Sequence, residues 1–234
     1  MFRVKICGIR DLTELSAAVT ARADAIGLNF YPKSKRHVDM VAAQEISHAA
    51  KAVVLRVGLF VNTPINQLRE ICSLVAFDAI QAHGEEDEAW FKQAKLLKKP
   101  VIRAIRCPGS PEELRAEIDR VRSDRGLYAA LLIDGAATGK EASETVYGGS
   151  GAVANWQWIS EIRDSIDVPI ILAGGLTPEN VAGAIKLCRP NGVDVAGGVE
   201  GDSGKKDANK TLAFAEAAKT AFASVAKEAS KVLP

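Results

Sequence analysis

Cysteine and histidine are scarce in this sequence of 234 residues, which contains four cysteines and three histidines. The cysteines, at positions 7, 72, 107 and 188, are far apart and form no Cys-x-x-Cys pair. A structural zinc site needs closely spaced thiolate or imidazole ligands, and a disulfide-stabilised domain needs a higher density of cysteine. We therefore expect no metal site and no disulfide framework, which indicates a reducing compartment.

The sequence has no excess of charge of one sign and no long apolar segment. Lys and Arg total 30 and Asp and Glu total 29, and no block of like charge is typical of a nucleic-acid-binding surface. The apolar runs are much shorter than the ~20 residues that cross a bilayer, and the N-terminus lacks the apolar segment of a signal peptide. The sequence thus predicts a cytoplasmic protein without nucleic-acid or membrane partners.

Short apolar segments alternate eight times with longer segments of helical pattern. This alternation predicts a parallel sheet covered by helices. The predicted strands are Val4–Gly8, Ala25–Phe30, Val53–Val61, Ala79–His83, Val101–Ile105, Leu131–Asp134, Val168–Ala173 and Val193–Val195. Eight units favour an α/β fold of the (β/α)8 TIM-barrel type, with residues 1–234 as a single domain. A doubly wound open sheet is the alternative, but no Gly-x-Gly-x-x-Gly motif follows the first strand.

Polar residues mark where several predicted helices begin. Asp11 is the expected N-cap of the first helix, and Glu14, three residues later, is the expected reciprocal partner in a capping box. The later helices are predicted to begin at Val41, Thr63, Glu85, Ser110, Ala154, Thr177 and Lys206. The last of them should continue to about Val232.

Polar side chains occur at the ends of four predicted strands. If the apolar residues of each strand face the helices, then alternation directs the intervening polar residues into the barrel. The predicted inward residues are Cys7, Gln81, His83, Asp134 and Asp194. Each alone is more often a small buried residue or a turn cap than a functional group. Together they predict an active site, because barrel active sites lie at the carboxyl ends of the strands.

Glycine clusters follow the last three strands. They are Gly148-Gly149-Ser150-Gly151, Gly174-Gly175 and Gly197-Gly198. Glycine allows backbone N–H groups to approach an anion closely, and the late loops of barrels commonly bind phosphate. Ordinary turns are the alternative, but paired glycines after consecutive late strands favour a phosphorylated sugar or a similar small substrate.

The loop after the second strand is rich in cations, which are Lys33, Lys35, Arg36 and His37. A guanidinium group in this loop could hold a carboxylate through two hydrogen bonds. Spacing alone does not decide between Lys35 and Arg36.

Several of these segments, in this order, resemble the phosphoribosylanthranilate isomerase family of tryptophan biosynthesis. The similar blocks are Lys5–Ile9, Gly27–Ser34 with Arg36, Val57–Asn62, Gln81 with His83-Gly84, Gly148–Gly151, Leu172–Leu176 with Pro178–Val181, Gly192–Val195, and Gly198–Glu200. Each block alone is weak evidence, but the ordered set extends over almost the whole chain.

The resemblance implies a cofactor-free Amadori rearrangement of N-(5-phosphoribosyl)anthranilate. It implies Cys7 as the general base, Asp134 as the general acid and Arg36 as the residue near the anthranilate carboxylate. Gln81, His83 and Asp194 are then expected to contact the substrate. The phosphate is expected at Gly149, Gly151, Gly174, Gly175, Gly197 and Gly198. No metal is expected, and the chain should be a monomer or a homodimer.

The sequence also departs from the family pattern. Ala196-Gly197 stands where the family usually has a serine before Gly198, and the tail beyond Ala221 is longer than is typical. The lost hydroxyl predicts a higher KM rather than lost chemistry. Two alternatives remain at this point: an isomerase of a related aminoaldose phosphate, and a barrel that binds a phosphosugar without turnover.

Overall fold

The computed structural model describes residues 1–107, 110–122, 126–135 and 155–232. Eight parallel strands form a closed barrel in sequence order, with β1 paired to β8. The strands are β1 Val4–Cys7, β2 Ala25–Asn29, β3 Leu55–Phe60, β4 Ala79–Ala82, β5 Val101–Cys107, β6 Ala130–Gly135, β7 Ile170–Leu172 and β8 Gly192–Val195. The predicted (β/α)8 fold is confirmed.

Eight α-helices alternate with these strands in the described part of the chain. They are α1 Leu12–Thr20, α2 Met40–Ala49, α3 Ile65–Leu74, α4 Glu88–Lys95, α5 Pro111–Arg122, α6 Trp156–Ile162, α7 Val181–Cys188 and α8 Ala208–Val232. None of the described helices is long and apolar enough to cross a membrane.

The predicted start of the third strand was wrong by two residues. Ala52 has a positive φ of 62°, and the backbone N–H groups of Val53 and Val54 donate to the carbonyl of Ala50. These bonds close the turn after α2, so the strand begins only at Leu55. Val53 is 59% exposed, which shows that two apolar residues can precede a strand without joining it.

Other predicted ends differ because local hydrogen bonds or backbone angles intervene. The first strand ends at Cys7, because Gly8 has a φ of +79° and leaves the extended conformation. The helix predicted from Thr177 begins at Val181, since the Asn180 side chain accepts from the Thr177 N–H and donates to the Gly175 carbonyl. These residues form a turn beside the cavity instead of a helical first turn.

The N-cap predicted for α1 is confirmed, but its reciprocal partner was misassigned. Asp11 accepts a hydrogen bond from the backbone N–H of Glu14 at 2.8 Å. The Glu14 carboxylate instead accepts from the backbone N–H groups of Arg10 and Lys206. Glu14 therefore joins the start of the barrel to the segment before α8, a contact between distant parts of the chain.

The apolar core has two layers, as alternation along the strands requires. The larger layer lies between strands and helices and includes Val4, Ile6, Leu131 and Ile133. The inner layer fills the barrel below the site and contains Phe2, Ala25, Val57, Ile102, Ala130, Leu132, Ile171 and Ala173. The inner layer closes the barrel beneath the polar residues.

Three phenylalanines support the β2–β3 side of the site from outside the barrel. Phe60 is fully buried, and its ring stacks on Phe30 at 5.3 Å and meets Phe77 edge to face at 6.0 Å. Gly58 leaves the space that these rings need, because a Cβ there would lie 2.8 Å from Phe60. The cluster fixes β3 against its helices.

Phe60→Ala should lower the free energy of unfolding by about 3–5 kcal/mol, because it leaves a cavity among these rings. Urea unfolding followed by circular dichroism measures the change. Leu74→Ala, at a 54% exposed position of α3, is the control and should change stability by no more than about 0.5 kcal/mol. Equal losses in the two variants would contradict this account of the core.

Candidate active site

A cavity of about 490 Å³ opens at the carboxyl ends of the strands. Its lining includes Cys7, Arg36, His83, Asp134 and Asp194. The volume lies within the usual range for small-molecule sites of ~300–1,000 Å³. The structure therefore brings four of the five predicted inward residues together at one rim, all except Gln81, whereas their chemical roles stay predictions.

Cys7 ends β1 with its side chain directed into the barrel. A Cβ on Gly27 would lie only 2.6 Å from the Cys7 Sγ, so the neighbouring strand must carry glycine there. Burial raises the pKa of the Cys7 thiol, and the Asp194 carboxylate raises it further, whereas the Lys5 ammonium acts in the opposite direction. The net direction is upward, so the thiol form is favoured.

Lys5 is the fully buried cation beneath the cavity. Its Nζ donates to Asp194 Oδ2 and to Gln81 Oε1, both at 2.9 Å. Burial acts to lower the pKa of Lys5, but Asp194 and Cys7 outweigh it, and the pKa is raised. Sequence reasoning gave Lys5 no role. Its alternation with Cys7 along β1 nevertheless indicated that its side chain points into the barrel.

Gln81 and His83 lie on the β4 side of the barrel. Gln81 Nε2 lies 2.8 Å from His83 Nδ1, and His83 Nε2 lies 3.2 Å from Asp134 Oδ2. His83 and Asp134 line the cavity, whereas Gln81 is fully buried and is absent from the lining. Gln81 thus lies behind His83 and not at the surface where a substrate contact was expected.

Asp194 lies near the end of β8, which is two strands from the Asp134 strand β6 in the barrel order. One of its oxygens accepts from Lys5, while its Oδ1 is buried and has no hydrogen-bond partner among the described residues. An unpaired buried acceptor is costly, typically about 1–3 kcal/mol. Asp194 is therefore positioned to accept a hydrogen bond from a bound molecule.

The loop after β2 is shaped by its own side chains. Asn29 accepts from the backbone N–H of Tyr31 and donates to Ser34 Oγ. Ser34 Oγ in turn accepts from the backbone N–H of Arg36 at 3.1 Å. These bonds turn the loop back so that Arg36 is buried at the cavity, whereas the side chain of Lys35 is 68% exposed.

Glu200 binds one edge of the Arg36 guanidinium. The Nε and Nη2 groups of Arg36 donate to its two carboxylate oxygens, the second at 2.9 Å. Lys206 Nζ also donates to Glu200, at 2.9 Å. Burial acts to raise the pKa of Glu200, but Arg36 and Lys206 outweigh it and lower it to about 2. Sequence reasoning gave no role to Glu200 or Lys206, whose distance from Arg36 along the chain hides the contact.

The edge of Arg36 formed by Nη1 and Nη2 remains accessible. Nη1 donates no hydrogen bond in the described part of the chain, since the bonds to Glu200 come from Nε and Nη2. Two glycines frame the side chain: a Cβ on Gly8 would lie 2.6 Å from Arg36 Cδ, and one on Gly197 would lie 3.2 Å from Nη2. A second carboxylate can therefore bind the same guanidinium end-on.

The glycine loops after β7 and β8 form another part of the cavity wall. Gly174 and Gly175 have φ values of +81° and +63°, which favour glycine, and a Cβ on Gly198 would lie 1.8 Å from the carbonyl oxygen of Leu176. All three line the cavity together with Gly197. The predicted phosphate residues Gly149 and Gly151 lie outside the described residues.

No metal-binding arrangement is present in the described ranges. No group of three His, Cys, Asp or Glu side chains there is placed to hold an ion. All four cysteines are free.

Glu200→Gln should destabilise the protein at pH 7 by about 2 kcal/mol or more, because it removes a carboxylate held by two buried cations. A carboxylate with a lowered pKa stabilises the fold above its ordinary value of 4.5, and this contribution is lost as the pH falls towards about 2. The deficit of the variant should therefore shrink over that interval. Urea unfolding at several pH values measures it, with exposed Glu45→Gln as the control; a deficit independent of pH would contradict the assignment.

Comparisons with known proteins agree on one family. The family model "N-(5'phosphoribosyl)anthranilate (PRA) isomerase" matches residues 4–217. The N-(5'-phosphoribosyl)anthranilate isomerase of Myxococcus xanthus is 39% identical over 218 residues, which cover 93% of this chain and 96% of that protein. The enzyme of that name from Neisseria meningitidis serogroup A is 42% identical over 212 residues, which cover 91% and 94%.

Solved structures agree with the sequence comparisons. Phosphoribosyl anthranilate isomerase from Thermotoga maritima has a TM-score of 0.78 at 34% identity, covering 94% of this chain and all of that chain. A phosphoribosyl anthranilate isomerase in complex with reduced 1-(o-carboxyphenylamino)-1-deoxyribulose 5-phosphate has a TM-score of 0.77 at 33% identity, with the same coverage. The chain therefore belongs to the N-(5'-phosphoribosyl)anthranilate isomerase family and is an isomerase of tryptophan biosynthesis.

Proposed function

We propose that this isomerase converts N-(5-phosphoribosyl)anthranilate to its 1-deoxyribulose product by an Amadori rearrangement, with Asp134 as general acid and Cys7 as general base. The observation that carries the proposal is the position of these two groups, which line one cavity from strands on different sides of the barrel. The rearrangement needs an acid at the ring oxygen bonded to C1 and a base at C2, and this arrangement provides one of each.

The acid step begins at the ring oxygen of the furanose. A protonated Asp134 donates its proton to that oxygen, the bond from the oxygen to C1 breaks, and a protonated Schiff base forms with the anthranilate nitrogen. Asp134 is held by His83 on one oxygen only, so the other oxygen is available to the substrate. The carboxyl group lies in the cavity wall, where it can reach a bound sugar.

The base step removes the proton from C2. The thiolate of Cys7 takes this proton, the electron pair moves towards the Schiff base, and the resulting enolamine becomes the ketone when C1 is protonated and the C2 hydroxyl loses its proton. Burial favours the thiol, but the cationic Schiff base adds a positive charge beside Cys7 and favours the thiolate. The charge of Lys5 acts in the same direction.

The two ends of the substrate are anionic, and each meets a different part of the cavity. The anthranilate carboxylate pairs with the Nη1–Nη2 edge of Arg36, which Glu200 leaves accessible. The phosphate binds to the backbone N–H groups of the Gly174-Gly175 and Gly197-Gly198 loops. Gly149 and Gly151 remain predicted contributors to the phosphate site.

One barrel is sufficient for this chemistry. The assigned residues that the structure describes come from strands and loops of the same barrel, which supports residues 1–234 as a single domain. A solved structure that resembles this chain is described as coming from a dimeric phosphoribosylanthranilate isomerase. A homodimer or a monomer is thus the expected state of this chain.

Cys7→Ala and Asp134→Asn should each reduce kcat by about 10²-fold or more, because each removes a proton-transfer group. The assay is the loss of anthranilate fluorescence with freshly generated phosphoribosylanthranilate. Binding of the reduced deoxyribulose phosphate product analogue should persist, which separates chemistry from binding. The controls are Cys72→Ala in α3 and exposed Asp164→Asn, which should keep wild-type rates. If wild-type protein binds the analogue without turnover, the barrel is a phosphosugar-binding protein instead.

Gly197→Ser should lower KM about tenfold without changing kcat more than about twofold, because a hydrogen bond to a charged phosphate contributes about 1.5–3 kcal/mol. The new Cβ would lie 3.2 Å from Arg36 Nη2, so the guanidinium must shift slightly. Gly197→Ala provides the matched control, since it adds the Cβ without the hydroxyl. An equal KM for the two variants would show that the hydroxyl does not bind phosphate.

A further inference from the structure

Gln81 lies between two groups whose hydrogen-bonding capacities fix its orientation. Lys5 Nζ is 2.9 Å away on one side and His83 Nδ1 is 2.8 Å away on the other. An ammonium group donates only, so the amide atom facing Lys5 must be the oxygen. The amide nitrogen therefore faces His83, and this orientation follows from the partners alone.

The hydrogen-bonding partners of His83 determine the protonation of its imidazole ring in the same way. The Gln81 NH2 group donates only, so His83 Nδ1 must accept, and a neutral ring then carries its proton on Nε2. Nε2 lies 3.2 Å from Asp134 Oδ2, to which it donates. The Lys5 ammonium thus specifies, through one amide, which nitrogen of His83 is protonated.

The tautomer distinguishes the two oxygens of Asp134. Oδ2 accepts the His83 bond, whereas Oδ1 lies towards the β7 loop, where a Cβ on Gly174 would be 3.0 Å from it. We propose that Gln81 is a positioning residue for catalysis: by fixing His83 as the Nε2–H tautomer, it holds Asp134 with Oδ1 directed at the sugar. The inference rests on the proposed acid role of Asp134.

Other charged groups near His83 do not compete for its ring nitrogens. Glu86 follows on the same loop, but its carboxylate accepts from the backbone N–H groups of Asn62 and Gly84. Arg103 and Arg106 of β5 share a second cleft with His83, and no hydrogen bond from either one to the ring occurs in the described ranges. Cys7 and Asp194 line the cavity on its far side.

Gln81→Glu tests the inference with the smallest change of shape. The carboxylate keeps an acceptor for Lys5, but it replaces the donor that faces His83 Nδ1 with an acceptor. His83 should then carry its proton on Nδ1. The tautomer is read from the imidazole nitrogens in long-range ¹H–¹⁵N spectra, where His83 is the one buried histidine among three. His83→Asn identifies its signals.

Wild-type protein should show Nε2 protonated and Nδ1 unprotonated. In Gln81→Glu, the proton should move to Nδ1 and kcat should fall about 10–100-fold, while KM changes by less than about threefold. Gln93→Glu, an equal change at an exposed position of α4, should leave the spectrum and the kinetics unchanged. A purely structural role for Gln81 would not move the proton.

Two results would overturn the inference. One is a wild-type His83 protonated on Nδ1, which needs no variant and so holds even if Gln81→Glu fails to fold. The other is a Gln81→Glu variant in which the tautomer changes but kcat does not. Failure of the proposed acid role is separate: it would appear as full activity in Asp134→Asn, whatever the tautomer of His83.

Discussion

The buried ammonium of Lys5 is the interaction on which the site depends. It reaches Asp194 of β8 and Gln81 of β4 at 2.9 Å each, and it acts on Cys7 of its own strand. A buried charge is tolerated only when it is paired and hydrogen-bonded, so these strands must keep their relative positions. Removing the Asp194 carboxylate would leave the Lys5 charge buried and uncompensated, at a cost of about 3–5 kcal/mol. The bonds of Lys5 therefore constrain both the closure of the barrel and the geometry of the proposed active site.

A second ionic cluster organises the part of the cavity around Arg36. Glu200 neutralises part of the charge of Arg36 and Lys206, and it occupies one edge of the guanidinium. The remaining edge is thereby fixed in direction, because the planar group cannot rotate without breaking two bonds to Glu200. Glycine at positions 8 and 197 gives the side chain its space. The cluster thus sets the direction from which a second carboxylate can reach Arg36.

Much of this architecture was predictable because alternation along strands is a local property. The inward direction of Cys7, Asp134 and Asp194 followed from the apolar residues beside them, and the contacts confirm it. Strand ends were less predictable. Val53 is apolar but belongs to a turn, since its backbone bonds to Ala50 decide its conformation. The apolar character of a residue indicates that its side chain prefers burial, but it does not indicate which hydrogen bonds its backbone forms.

The sequence by itself determined the (β/α)8 class, the rim on which the site lies and the family to which the chain belongs. Each of these depends on the hydrophobic periodicity, on the order of strands and helices, or on short motifs, all of which are local features of the sequence. Tertiary structure alone decided which polar groups meet. Lys5 and Asp194 are 189 residues apart, and Arg36 and Glu200 are 164 apart. Such pairs leave no local pattern, since closure of the barrel brings them together. Gln81 shows the difference: its direction was predictable, but its place behind His83 depended on both neighbours.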